Sequence, residues 1–383
     1  MRNTQERPFS PNRLRALALA IACAATPVFA TPSAPAANVQ VAVSLQKNEA
    51  SGVVVTPDGR MFLTIPRAGV NHSDPSLVEI VNGQPVAFPD TAHTVPSDKT
   101  LADWLVSPLG LTLSGNTLWV LDEGKRAGID AIPRDSAKLV AIDIPTRTVR
   151  KTILINKPQL RDTEQLNDLR VDMQHGAQGT VYISNNGFSK PDSSLLVVDI
   201  ASGKVRELFK DQPQVSPAPG YMTWVEGKPH AYSVDHATMP QGGVNGIELS
   251  PDGKTLYWTI PTNANTYSLP TALLSDPKQS EAQLAKAVHF EGQAASNGGI
   301  TVDEHGTLYY GDASHHAIVA KDTQGQFSLV AQDPRLIWPD GLYYRDGYLY
   351  VTIGQWQRAP GLNGGKDLRA APYDVLKIKV GGA

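Results

Sequence analysis

One cysteine in 383 residues, at position 23, leaves little scope for sulfur chemistry. Cys23 falls in a stretch read below as a removable leader, where the preceding Ala20-Ile21-Ala22 is a poor lipid-attachment signal. The mature chain is therefore expected to carry no disulfide, no thiolate nucleophile and no zinc-thiolate site. An excess of charge of one sign is lacking too: 34 Lys+Arg face 37 Asp+Glu, a formal net of -3, with no run of like charge. That excludes an electrostatic grip on nucleic acid or anionic membranes. No apolar run approaches the roughly 20 residues that a membrane-spanning helix takes. The common catalytic signatures are missing as well. There is no Gly-x-Ser-x-Gly elbow, His-Glu-x-x-His, EF-hand loop or Gly-x-Gly-x-x-Gly. Gly253-Lys254-Thr255 resembles the tail of a phosphate loop but joins two strands, and His315 and His316 would point to opposite faces of a strand.

What is present begins with a leader. Arg2, Arg7, Arg13 and Arg15 precede the apolar run Leu17 to Ala25, followed by Pro27 and the small-residue site Val28-Phe29-Ala30. This is the layout of a secretory signal over residues 1–30, and it predicts export to the periplasm or beyond. Residues 31–38, rich in Ala and Pro, read as a flexible lead-in. The rest, 39–383, carries no dividing linker and reads as one domain.

Across that domain a unit recurs: an alternating apolar strand, a turn with glycine, and a second strand that usually carries an aromatic. The turn glycines are Gly59, Gly115, Gly179, Gly253, Gly306 and Gly347, spaced 41 to 74 residues apart. Asp-Gly turns supply the positive φ that tight hairpins need, and period-2 alternation turns one face of each strand inward. Each interval has room for a second hairpin, such as Ala137–Asp143 with Thr148–Ile153. A lone hairpin cannot bury its face, but radially stacked ones can. The prediction is an all-β fold, a six-bladed β-propeller with four strands per blade. Val39–Val43 is expected beside Val375–Lys379, closing the ring. A short surface helix, from Ala272 through Glu281 to Ala287, is expected between blades four and five.

In a propeller the starts of the innermost strands face the mouth of the central channel. Here those positions are polar: Glu49, Asn167 with Asp168, Asn245, Asn297 and Asp340. Unpaired burial would cost roughly a few kcal/mol each. Two explanations stand level. Glu49, Asn167, Asn245 and Asp340 supply the hard oxygens that one divalent cation takes, calcium being the first choice. Alternatively they bind channel water and free strand ends. Trp224, Trp338 and Trp356 lie in irregular stretches and are candidate aromatic walls for a small-molecule ligand, with Asn297 as a polar contact. Asp168 and Asp340 are the candidate acid–base groups if the protein is an enzyme.

Six stretches carry a resemblance: Thr64-Ile65-Pro66-Arg67, Leu118 to Gly124, Leu166 to Asp172, Gly243 to Pro251, Gly306 to Gly311 and Trp338 to Leu342. In that order they resemble the Yellow/major royal jelly protein family, bacterial members included. The resemblance implies a secreted six-bladed propeller and, in some members, binding of small molecules such as biogenic amines at the channel mouth. More distantly the chain resembles gluconolactonase-type propellers, which hold one divalent metal on the axis. Glu49, Asn167-Asp168 and Asn245-Gly246 match their pattern. Their fifth-blade aspartate falls at Gly298, and their substrate-binding arginine at Gln165. The resemblances imply three functions: a small-ligand binder, a metal-dependent hydrolase of a lactone or ester, or a platform for another protein.

Overall fold

Six four-stranded antiparallel sheets account for nearly all the regular structure in the computed structural model, which describes residues 36, 38–187, 192–230, 242–296 and 298–380. The leader at 1–30 with Cys23, most of the lead-in, and Asn297 lie outside the described residues. The innermost strands are Val53–Val55, Pro108–Ser114, Glu164–Asp172, Ile247–Leu249, Ile300–Val302 and Pro339–Arg345. Each neighbours the next in chain order, and the sixth returns to the first. The fold is a six-bladed β-propeller. Among the described residues no helix is long and apolar enough to cross a membrane.

The ring closes as the sequence implied. Val39–Leu45 is the outermost strand of blade six, antiparallel to Tyr373–Lys379, with Val39 opposite Ile378 and Leu45 opposite Tyr373. The clasp is pinned at its start, where Arg335 Nη2 donates to Val39 O and the Ala36 amide donates to Asp333. Between blades the inward faces interdigitate. Val54, Phe62 and Phe88 of blade one meet Leu111, Leu118 and Val140 of blade two, and Tyr182 and Leu195 of blade three meet Ile247, Trp258 and Leu269 of blade four. Full burial of each such side chain contributes about 1.5–3 kcal/mol, so the stability of the ring resides in these interfaces.

All six turn glycines have positive φ, from 56° at Gly115 to 99° at Gly179. Their geometry differs from the two-residue hairpin in most blades. Only at Asp346-Gly347 do both residues have positive φ (48° and 76°). At Thr56–Arg60 the Gly59 amide donates to Thr56 O and the Thr56 amide to Arg60 O, a type I turn followed by a left-handed glycine.

The helical segment is a correction. It forms two helices, Thr271–Ser275 and Glu281–Ala287, and both lie within blade four, between its third strand Asn265–Pro270 and its outer strand His289–Gln293. The outer strand is polar and half exposed, so no alternation marks it. Ser280 caps the second helix in a reciprocal pair with Gln283, and Leu274 and Leu284 anchor the insertion in the core.

Candidate functional site

The inner strands enter the channel through a repeated step: one residue facing the axis, then glycine, then an aliphatic. It reads Ser51-Gly52-Val53, Leu109-Gly110-Leu111, Asn245-Gly246-Ile247, Gly298-Gly299-Ile300 and Asp340-Gly341-Leu342. Blade three alone replaces the glycine, with Asn167-Asp168-Leu169. The glycines are sterically required. A Cβ on Gly299 would sit 2.0 Å from Asp340 O, and one on Gly341 would sit 2.3 Å from Ser51 O. Hydroxyls of the second strands stitch the ring: Thr64 Oγ1 accepts from the Gly52 amide at 2.8 Å and donates to Leu109 O at 2.5 Å. Thr352 does the same for the Gly341 amide and Ser51 O.

This construction brings Ser51, Leu109, Asn167, Asn245 and Asp340 together around the axis. With Gln165, Trp338 and Trp356 they line a recess of about 30 Å³ at the mouth. Among the described residues Asp340 is its one carboxyl group. Its Oδ2 accepts from Ser51 Oγ at 2.9 Å and from Trp356 Nε1 at 3.3 Å. Burial pushes the carboxyl up to about 7 against the pull of those two donors, and the charges of Glu49 and Asp168 push it the same way. Opposite, Asn167 Nδ2 donates to Asn245 Oδ1 at 2.8 Å.

Glu49 is not on the recess wall. Its carboxylate accepts from the Gln355 amide at 3.0 Å and from Arg369 Nη1 at 2.9 Å, in a buried ion pair. Burial raises its pKa and Arg369 opposes the rise. Of the four oxygens expected for a cation, Glu49 is neutralised by Arg369 and the Asn245 oxygen is taken by Asn167. In blade five position 298 is glycine and supplies no ligating side chain, its Cα packed so that a Cβ would meet Asp340 Oδ1 at 2.9 Å and Trp338 Nε1 at 3.0 Å. Calcium takes roughly six to eight oxygens, and among the described residues no three His, Cys, Asp or Glu side chains are arranged to hold a metal. The residues as arranged do not fit a divalent-cation centre.

The three tryptophans separate. Trp356 is half-buried and donates to Asp340, while Trp338 is buried with His230 packed on it at 4.9 Å. Trp224 is 54% exposed on a small hairpin, Trp224–Val225 with Lys228–Pro229, and does not line the recess. That hairpin comes from the connection between blades three and four. It reaches blades five and six, where Val225 packs on Ala313, Trp338 and Trp356 and Glu226 pairs with Arg358.

Sequence reasoning missed several residues. Ser51 and Leu109 were findable as the residues preceding the inner-strand glycines. Beside Gln165 lies Glu123, fully buried, with Ser107 Oγ donating to its Oε1 at 3.1 Å. Burial pushes the Glu123 carboxyl up to about 8, with Gln165 and Ser107 opposing. Below the ring the channel widens to about 250 Å³, and there Arg170 joins Asp168 to Glu248. Burial pushes Asp168 up to about 6, with Arg170 opposing.

Among solved structures the chain is similar to a calcium-binding protein, regucalcin, from Agrobacterium tumefaciens str. C58, at 16% identity and a TM-score of 0.52. That match covers 89% of this chain and 94% of the other. It is also similar to a luciferin-regenerating enzyme, at 13% identity and a TM-score of 0.53, over 91% and 98% of the two chains. At such identities the likeness is one of fold. None of the curated proteins matches the chain in sequence. The family model described as major royal jelly protein matches residues 114–362, well over half of the chain, with all of blades three to five and parts of blades two and six. This six-bladed propeller belongs to the major royal jelly protein family.

Proposed function

We propose that the protein binds a small aromatic amine at the axial mouth, with the ammonium on Asp340 and the ring outside the recess against Trp356. The observation that carries this reading is the setting of Asp340, which among the described residues is a single buried carboxyl beside two indoles with no cationic partner in its hydrogen bonds. A recess of about 30 Å³ takes a head group and little more. The body of the ligand must therefore lie outward, where an aromatic ring gains from stacking. An ammonium is attracted both by the carboxylate and by the indole faces.

Calorimetric titration with tyramine tests this. Wild type should bind saturably without turnover, and Asp340→Asn should weaken binding at least tenfold. Affinity should rise between about pH 6 and pH 8, as the raised Asp340 carboxyl ionises. A wild type that does not bind tyramine, or an Asp340→Asn variant that binds as well, would sink the reading. The hydrolase alternative is weakened by Gly298, which supplies no general base, and by the amide of Gln165 where a substrate-binding arginine was expected. The leader over residues 1–30 would place the binding in an exported protein. N-terminal sequencing of the secreted product would check cleavage after Ala30.

A further inference from the structure

Asp168 stands where five of the six blades have glycine, and the packing accommodates it. A Cβ on the facing Gly110 would lie 2.8 Å from Asp168 Cα and 2.9 Å from its Oδ1. The missing side chain of blade two therefore makes the room that the carboxylate of blade three fills. That carboxylate accepts from the Leu169 amide at 2.8 Å and from Arg170 Nη1 at 3.0 Å. Arg170 then reaches across to blade four and grips Glu248 with both arms, Nε to Oε1 at 2.7 Å and Nη2 to Oε2 at 3.2 Å. The cluster holds two carboxylates and one guanidinium.

We propose that the compartment below the ring, about 250 Å³ in volume, is a second binding site, for a short-chain alkylammonium ion. Three observations converge on that class. With both carboxylates ionised the cluster carries one excess negative charge, and an uncompensated charge in a low-dielectric channel favours a cation. The guanidinium arms are committed to carboxylates, so an anion would meet two like charges and no open fork. Beside the cluster the walls mix hydrocarbon from Val53, Leu111, Leu113, Leu249, Val302 and Leu342 with the polar side chains of Thr112, Thr301, Tyr343 and Tyr344. The hydrocarbon part takes methylene groups, and the hydroxyls take the solvent around the head group. Solvent reaches the cluster, since the Asp168 and Glu248 side chains are 23% and 13% exposed. The inference does not rest on the amine reading of the mouth. The two share Ser51, Leu109, Asn167 and Asp340 on their walls, but the mouth adds the indoles and this site adds the charged triad.

The test is titration of the full-length folded protein with n-butylammonium chloride at neutral pH, with thermal melts confirming that each variant is folded. Wild type should bind saturably, and the equivalent held by the cluster is the one that the variants at Glu248 and Val302 remove. Glu248→Gln should weaken binding at least tenfold, because Arg170 is then balanced by Asp168 alone. Val302→Phe keeps every charge and fills the channel, so it should abolish binding even if Glu248→Gln proves unstable. Trp224→Ala, whose side chain lines neither cavity, should leave binding within twofold of wild type. The proposal is overturned if wild type shows no saturable binding or if Val302→Phe binds as well as wild type.

Discussion

The mouth and the compartment beneath it share one axis and the same inner strands, yet they handle charge in opposite ways. At the mouth the donors to Asp340 among the described residues are neutral, Ser51 and Trp356, and burial holds its carboxyl near 7. Beneath the ring Asp168 and Glu248 share Arg170, and although burial works against the Arg170 charge, the two carboxylates outweigh it. The lesson is one of register: Asp340 faces the axis one step before the blade-six glycine, while Asp168 replaces the glycine in blade three. One step along the strand decides whether an acid is left for a ligand or absorbed into an ion pair.

The largest effect that could break this comparison comes from Arg170→Met. It leaves two carboxylates facing each other, and stability measured by guanidinium denaturation should fall by about 3–5 kcal/mol. Asp340→Asn, removing an acid that burial already disfavours, should change stability by less than about 1 kcal/mol. If the two variants lose equally, the contrast between the compartments is wrong. Next in size is Gly299→Ala, whose Cβ would collide with backbone at Asp340 O; it should cost about 3 kcal/mol and weaken tyramine binding through displaced Asp340. Gly59→Ala, in open space with a φ of +84°, should cost only about 1 kcal/mol and leave binding unchanged.

A smaller effect sharpens the view of the mouth through pH. Glu123, held up to about 8, keeps its proton in the folded chain at pH values where the unfolded chain has lost it. The native state therefore binds more protons between about pH 4.5 and 8, and stability falls as pH rises through that window. Asp340 and Asp168 add to the same slope at lower pH. The melting temperature should drop by a few degrees from about pH 5 to pH 8, and Glu123→Gln should flatten the profile. An unchanged profile in that variant would remove Glu123 as the source. Smallest of all is Trp224→Ala, at an exposed side chain, which should shift stability by less than about 0.5 kcal/mol.

The fold was legible because blade formation is local. Alternation, turn glycines and aromatic second strands lie within a dozen residues of each other, and the clasp from Val39 to Ile378 was visible as two leftover apolar strands. Asn167, Asn245 and Asp340 could be placed because each precedes or accompanies an inner-strand start. What failed depended on distant partners. Nothing near Glu49 in sequence announces Arg369, and nothing near Arg170 announces Glu248, since both pairs form only when blades stack. Trp224 was grouped with the other tryptophans because irregular sequence does not show which face a hairpin presents. The two helices inside blade four hid its outer strand for the reason that edge strands carry little alternation.

The clasp also fixes how the molecule responds to force. Val39 lies opposite Ile378, so both chain ends leave from the same end of one antiparallel ladder. Tension applied between them loads that first pair alone and peels the ladder open rung by rung, in the manner of a zipper. Arg335 and Asp333, which pin Val39 and Ala36, act as the tab that must yield first.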